Sequence, residues 1–84
     1  MTYLWLFGDP IQVTLNRLGL PDVFVWHNRQ HPVQGIADFW RVDTEWWRVR
    51  VWRDYFTLYT RTGLMVIVYR DILSGEWYLL RRYD

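Results

Sequence analysis

Apolar and polar positions alternate along most of this chain with a period of two, the spacing of strands that bury one face. Ile11-Gln-Val-Thr-Leu15 alternates and predicts a first strand. Val23-Phe-Val-Trp26 is a short run of β-formers. A second run, His31 to Arg41, follows it across the polar pair Asn28-Arg29, which predicts a hairpin turn there. Asp43-Thr-Glu45 then predicts a loop or a single helical turn, with Asp43 or Thr44 as its cap. Tyr55 to Thr60 alternates aromatic with small residues. Thr62-Gly63 breaks the pattern. Leu64-Met-Val-Ile-Val-Tyr69 is apolar at every position, which predicts a strand covered on both faces. Arg70 to Gly75 holds the next turn, sharpest at Ser74-Gly75, and Glu76 to Arg81 reads as the last strand.

Helical spacing occurs only between Gly35 and Trp47, where Ile36, Phe39, Trp40 and Trp47 recur, and the surrounding β-formers favour a strand instead. The pattern therefore predicts a mainly β fold: one small antiparallel barrel or strongly curved sheet, of about the size of an SH3 domain. It has five to six short strands and at most one short helical turn. Closure removes exposed edges that so short a chain cannot otherwise cover. Residues 1–84 form a single domain, with 1–9 an N-terminal extension or extra strand.

Composition sharpens this picture. Of the 84 residues, 7 are Trp, 6 Tyr and 4 Phe, and hydrophobic residues make up 51%. A short chain buries a smaller share of its surface than a long one, and large rings compensate for that. The aromatics are nevertheless too numerous and too evenly spaced for the core alone, so some are expected to face outward beside arginine. There is no cysteine, and the ten basic residues are all arginine. The apolar opening before Gly8-Asp9-Pro10 has no basic flank and is too short for an export signal or a membrane span, so a cytoplasmic location is expected. A net charge of +1 argues against binding nucleic acid through bulk charge.

Candidate chemistry is sparse. Ser74 is the single serine and sits in a turn signal with no histidine near it. With cysteine absent, nucleophilic catalysis has no material, and no enzymatic activity is expected. His27 and His31 straddle the predicted turn and invite pairing across it. A metal would need a third ligand such as Asp22 or Asp38, which the spacing does not demand, so neither metal nor cofactor is expected. Asp43 with Glu45, and Asp54 with Asp71, read as loop acids that balance arginines. The distinctive stretch is Trp46-Trp-Arg-Val-Arg-Val-Trp-Arg53. If extended, it places Trp46, Arg48, Arg50 and Trp52 on one face. Two guanidinium groups framed by two indoles suit either a protein interface or stacking on single-stranded nucleic acid. Arg81-Arg82, beside Tyr83 and the terminal Asp84, form a second candidate site, for which neutralisation by Asp84 is the simpler role.

The order Phe24-x-Trp26, a polar turn, His31-x-Val33, Phe39-Trp40, Trp46-Trp47, Arg53-x-Tyr55-Phe56, Gly63, Tyr69-Arg70-Asp71, Gly75-x-Trp77-Tyr78-Leu79 and Tyr83-Asp84 resembles a small bacterial domain of unknown function. That domain occurs alone and as the C-terminal tail of ImuB-type proteins, inactive Y-family polymerase homologues of mutagenesis cassettes. The resemblance implies a stand-alone, non-enzymatic β module linked with translesion DNA synthesis, whose partner is a DNA-repair polymerase or accessory protein. It carries over no catalytic residue. Single-stranded DNA contact through the Trp/Arg strip and homo-oligomer formation are the alternatives.

Overall fold

The computed structural model describes residues 8–46 and 48–83; the side chains of Trp46, Val49, Arg81, Arg82 and Tyr83 fall outside that description. Every regular element in these residues is a strand: β1 (Asp9–Leu15), β2 (Pro21–Trp26), β3 (Arg29–Trp46), β4 (Val49–Thr60), β5 (Met65–Asp71) and β6 (Trp77–Tyr83). They pair in chain order, each antiparallel to the next, and β6 closes on β1 through Asp9↔Leu79, Pro10↔Tyr78 and Ile11↔Trp77. The expected small antiparallel barrel is the fold observed.

Tight turns make this up-and-down order possible. His27 and Asn28 adopt φ of 51° and 62°, so the β2–β3 turn lies one residue earlier than the polar pair Asn28-Arg29 suggested. Two consecutive left-handed residues match the right-handed twist of the flanking strands, and asparagine tolerates that conformation well. After β1, the Asn16 side-chain oxygen accepts from the Leu18 and Leu20 amides and folds the loop back on itself. Gly75, with φ of 78°, ends the β5–β6 turn at the Ser74-Gly75 signal.

The two longest strands depart from expectation. β3 is 18 residues long and continues through Asp43-Thr-Glu45, where a loop or helical turn was predicted. Those three residues pair with Trp52, Val51 and Arg50 of β4, so their polar side chains decorate a ladder and do not break it. Local preference for turns at Asp and Thr yields here to cross-strand pairing. β3 also changes partner. Its first residues pair with β2, and from Val33 onward it pairs with β4 through two register shifts, at Val33/Gly35 and Ile36/Asp38. Bulges of this kind bend a strand sharply enough to turn a barrel corner.

Inside the barrel, Ile11, Phe24, Phe56, Leu58, Val66, Val68, Trp77 and Leu79 form the core. Phe56/Leu58, Val66/Val68 and Trp77/Leu79 are each two apart, as alternation requires. Phe56 packs on Trp77 with ring centroids 5.6 Å apart. The opposite face carries a second aromatic layer. Trp40, Tyr55, Tyr69 and Tyr78 lie in direct register on β3, β4, β5 and β6, with successive centroids 5.3, 5.3 and 5.1 Å apart. Tyr55 and Tyr69 are buried in this row, so β4 and β5 are covered on both faces there, as the unbroken apolar run of β5 predicted.

Candidate functional site

The predicted Trp/Arg strip does not form as a single strand. β3 ends at Trp46, β4 begins at Val49, and these two residues pair, so the strip is divided between two antiparallel strands. Arg48 sits between these strands with φ of 67°, and Trp46 lies on the strand before it. The register sets even-numbered positions of β3 against odd-numbered positions of β4, so the row of alternate residues from 46 to 52 that the sequence suggested is broken between the two strands. Arg50 and Trp52 do share one face of β4. The Arg50 guanidinium carbon lies 4.4 Å from the Trp52 ring centroid. Arg81 and Arg82 lie on β6 opposite Ile67 and Val66. Their side chains, and the suggested role of Asp84, fall outside the described residues.

What the structure builds instead is an arm. β5 pairs with β4 only from Arg53 to Tyr59, with one further bond from the Ile72 amide to the Trp52 carbonyl. Beyond that point β3 and β4 continue alone as a two-stranded ribbon from Asp43 to Trp52. One face of the arm and its base carries Arg41, Asp43 and Glu45 from β3 with Arg50, Trp52 and Asp54 from β4, because directly paired residues share a face. Arg41 donates to both oxygens of Asp54, at 2.6 and 3.1 Å. That hydrogen bonding, with the attraction of the carboxylate, holds the Arg41 guanidinium above its ordinary pKa. Arg50 donates to both oxygens of Asp43 at 3.2 Å. Asp43 and Asp54 thus do balance arginines, from strands and not from loops. Two arginines against three acids leave this face with one negative charge in excess.

Exposed aromatics mark the root of the arm. Phe39 is 51% exposed and leans on Phe56 with centroids 5.0 Å apart; Trp40 is 36% exposed and stacks flat on Tyr55. Neighbours in a strand point to opposite faces, so each face of β3 offers one large ring. The adjacency Phe39-Trp40 carried this signal in the sequence, since one ring of such a pair must leave the core. Behind Trp40, Arg53 is only 8% exposed, with its guanidinium 4.2 Å from the Tyr69 centroid and donating to the Tyr55 hydroxyl at 3.2 Å. Burial pushes the Tyr69 phenol up to about 12 against the opposing pull of Arg53.

The other end of the barrel holds a polar cluster that the sequence did not reveal. His31 is 5% exposed, stacks on Phe24 at 5.1 Å and hydrogen-bonds through Nδ1 to the Thr62 hydroxyl at 2.9 Å. Thr62 in turn meets the Thr60 hydroxyl at 2.8 Å, which accepts from the Leu64 amide at 2.9 Å. Burial first, and then the charge of Arg29, holds the His31 imidazole below its ordinary pKa. His27 and His31 do not pair with each other. Both contact Trp26, with ring centroids 4.2 and 6.2 Å away. Trp26, His27, Arg29, His31, Thr62 and Leu64 line a groove of about 290 Å³. A wider depression of about 620 Å³ adjoins it across Leu64, beside Gln34, Gly35 and Tyr59. Among the described residues, no three His, Cys, Asp or Glu side chains converge as a metal site requires. No family model, curated protein or solved structure matches the chain.

Proposed function

We propose that the domain is a non-catalytic protein-binding adaptor that presents the β3–β4 arm and its aromatic root to a partner. One observation carries this reading: Phe39 and Trp40 are exposed on opposite faces where the arm leaves the barrel, with arginine beside them. Partly exposed aromatic rings seated on a rigid layer are the usual anchors of protein interfaces, and each typically contributes about 2 kcal/mol or more when it fills a partner's pocket. The resemblance to ImuB-type tails supports a DNA-repair polymerase or accessory protein as that partner.

Single-stranded nucleic acid ranks below a protein as the ligand of this surface. Arg50 is committed to Asp43 and Arg41 to Asp54, so neither fork is open to a phosphate. The surplus acid on the same face repels a polyanion. The test is a titration of the purified domain with purified translesion polymerases, inactive homologues of the ImuB type and their accessory proteins. Saturable binding that weakens about 30-fold or more in Phe39→Ala or Trp40→Ala is the expected result. Absence of binding to every member of that set, with the domain folded, overturns the assignment. Binding instead to an unpaired oligonucleotide, lost in Arg48→Ala plus Arg50→Ala and falling steeply with salt, transfers the site to nucleic acid.

A further inference from the structure

The barrel is closed where all six strands meet, but β3 has one open side. Its residues from Val33 to Trp46 pair with β4, its pairing with β2 ends at Pro32, and among the described residues no strand lies along its outer edge. The backbone groups facing that edge can be identified. The Trp52 carbonyl points away from β3, accepting from the Ile72 amide, so Asp43↔Trp52 is a non-hydrogen-bonded pair and Thr44, Val42 and Trp40 bond to β4. Phe39, Arg41, Asp43 and Glu45 consequently direct their N–H and C=O groups outward. The Phe39 amide confirms this, because it donates to the Asp38 carboxylate at 2.9 Å and not to β4.

We propose that this edge pairs with the same edge of a second copy of the chain, as an antiparallel ladder with its two-fold axis at Val42. The ends of the usable edge define that centre. On the barrel side the Asp38 carboxylate occupies the Phe39 amide, and beyond it the bulge at Ile36/Asp38 breaks the register. On the other side the chain turns after Trp46. A symmetric ladder over residues 39–45 has residue 42 at its midpoint. Charge selects the same register. Centred on Val42, it sets Arg41 opposite Asp43 of the other copy, and Asp43 opposite its Arg41. Each interface side then continues as Asp54–Arg41–Asp43–Arg50, alternating in sign across the two chains. A shift of the centre by one residue places either Arg41 on Arg41 or Asp43 on Asp43, and like charges directly opposite one another are destabilising. Charged side chains on an edge strand normally discourage pairing with a foreign strand; in this register they complement one another.

Such a ladder supplies about six backbone hydrogen bonds. It buries less surface than a standard interface, so a concentration-dependent monomer–dimer equilibrium is expected. Pairing uses the edge and leaves Phe39 and Trp40 on their faces. The inference therefore stands apart from the adaptor reading, and the dimer would present that surface twice.

A chain without cysteine allows a direct test. In the proposed register the two Val42 residues form a non-hydrogen-bonded pair with Cα atoms about 4.5 Å apart, within disulfide reach. Two Thr44 residues are about 13 Å apart along the strand. Under mild oxidation Val42→Cys is expected to give a disulfide-linked dimer and Thr44→Cys none. Sedimentation of the unmodified chain should show a dimer forming with concentration. Asp43→Pro removes an outward N–H while sparing the β4 ladder, and Asp43→Arg sets arginine against Arg41; each is expected to weaken association at least tenfold with the thermal midpoint nearly unchanged. The proposal is overturned by a monomer at every attainable concentration, by cross-linking of Thr44→Cys as readily as Val42→Cys, or by undiminished dimerisation of folded Asp43→Pro.

Discussion

β4 is one strand in two environments. From Tyr55 to Tyr59 it has β3 on one side and β5 on the other, and Phe56 and Leu58 are buried in the barrel. From Val49 to Trp52 it has β3 as its ladder partner and a single bond from Ile72, just past the end of β5. Both halves alternate in sequence, so alternation alone does not separate core from arm. The difference lies in what alternates. In the barrel half an aliphatic or phenyl side chain recurs on the inner face. On the arm the same parity delivers Arg50, Trp52 and Asp54, which pair with one another and with Asp43 and Arg41. Exposed two-stranded ribbons are marginal in isolation. The arm is therefore expected to open locally at low cost, while the barrel opens only with the whole fold.

The largest effect that sharpens this contrast comes from the core. Phe24 is fully buried against the barrel interior and stacks on His31. Phe24→Ala should cost about 3–5 kcal/mol, read by denaturant unfolding. In native-state hydrogen exchange it should lower the protection of the Val66 and Val68 amides by the full amount. Arm amides such as Thr44 should change little, since they already exchange through local opening. Equal loss of protection in both places would show that arm and barrel are one cooperative unit and would break the comparison.

A smaller effect is expected in the polar cluster at the end of the barrel away from the arm. Thr60→Val keeps the shape of a buried side chain but deletes the oxygen that accepts from the Leu64 amide. The unpaired donor should cost about 1–3 kcal/mol. The neighbouring His31 adds a pH dependence with a defined sign. Its folded pKa lies below the ordinary value, so below about pH 6.5 the unfolded chain binds more protons than the folded one. The stability contributed by keeping this ring neutral is complete above that pH and is lost as the pH falls toward the folded value. Unfolding free energy measured from about pH 7.5 down to about pH 5.5 should decline, and His31→Gln should flatten that decline.

These residues also show what was legible beforehand. The strands, the single barrel and the outward-facing aromatics followed from period-two spacing, because alternation is a local consequence of one buried face. The reversal between Trp46 and Val49 was not legible. Arginine is a poor turn residue, and Arg48 adopts its left-handed conformation under the demand of the ladder on either side. Asp43-Thr-Glu45 misled for the converse reason, since turn-forming residues were held extended by their partners on β4. The His31–Thr62–Thr60 chain joins residues 31 apart through side-chain hydroxyls, and no spacing rule reaches that far. Of the candidate site, Arg50 and Trp52 were placed together as read. Their surplus acidic neighbours were invisible until β3 was laid beside β4.

The smallest effects lie on the arm, and they differ in sign. Arg48 holds φ of 67°, a conformation that strains an L-residue and suits glycine. Arg48→Gly is therefore expected to stabilise the arm by about 0.5–1 kcal/mol, even though it removes a charge. Arg50→Ala removes a half-exposed ion pair and a contact with Trp52, together worth about 1 kcal/mol or less. Both should appear as altered protection of the arm amides, with the global unfolding midpoint nearly still. If Arg50→Ala instead lowered global stability by as much as Thr60→Val, the Asp43–Arg50–Trp52 cluster would be part of the barrel's cooperative core. The arm would then be a rigid extension of the barrel. Little ordering of the arm would accompany binding.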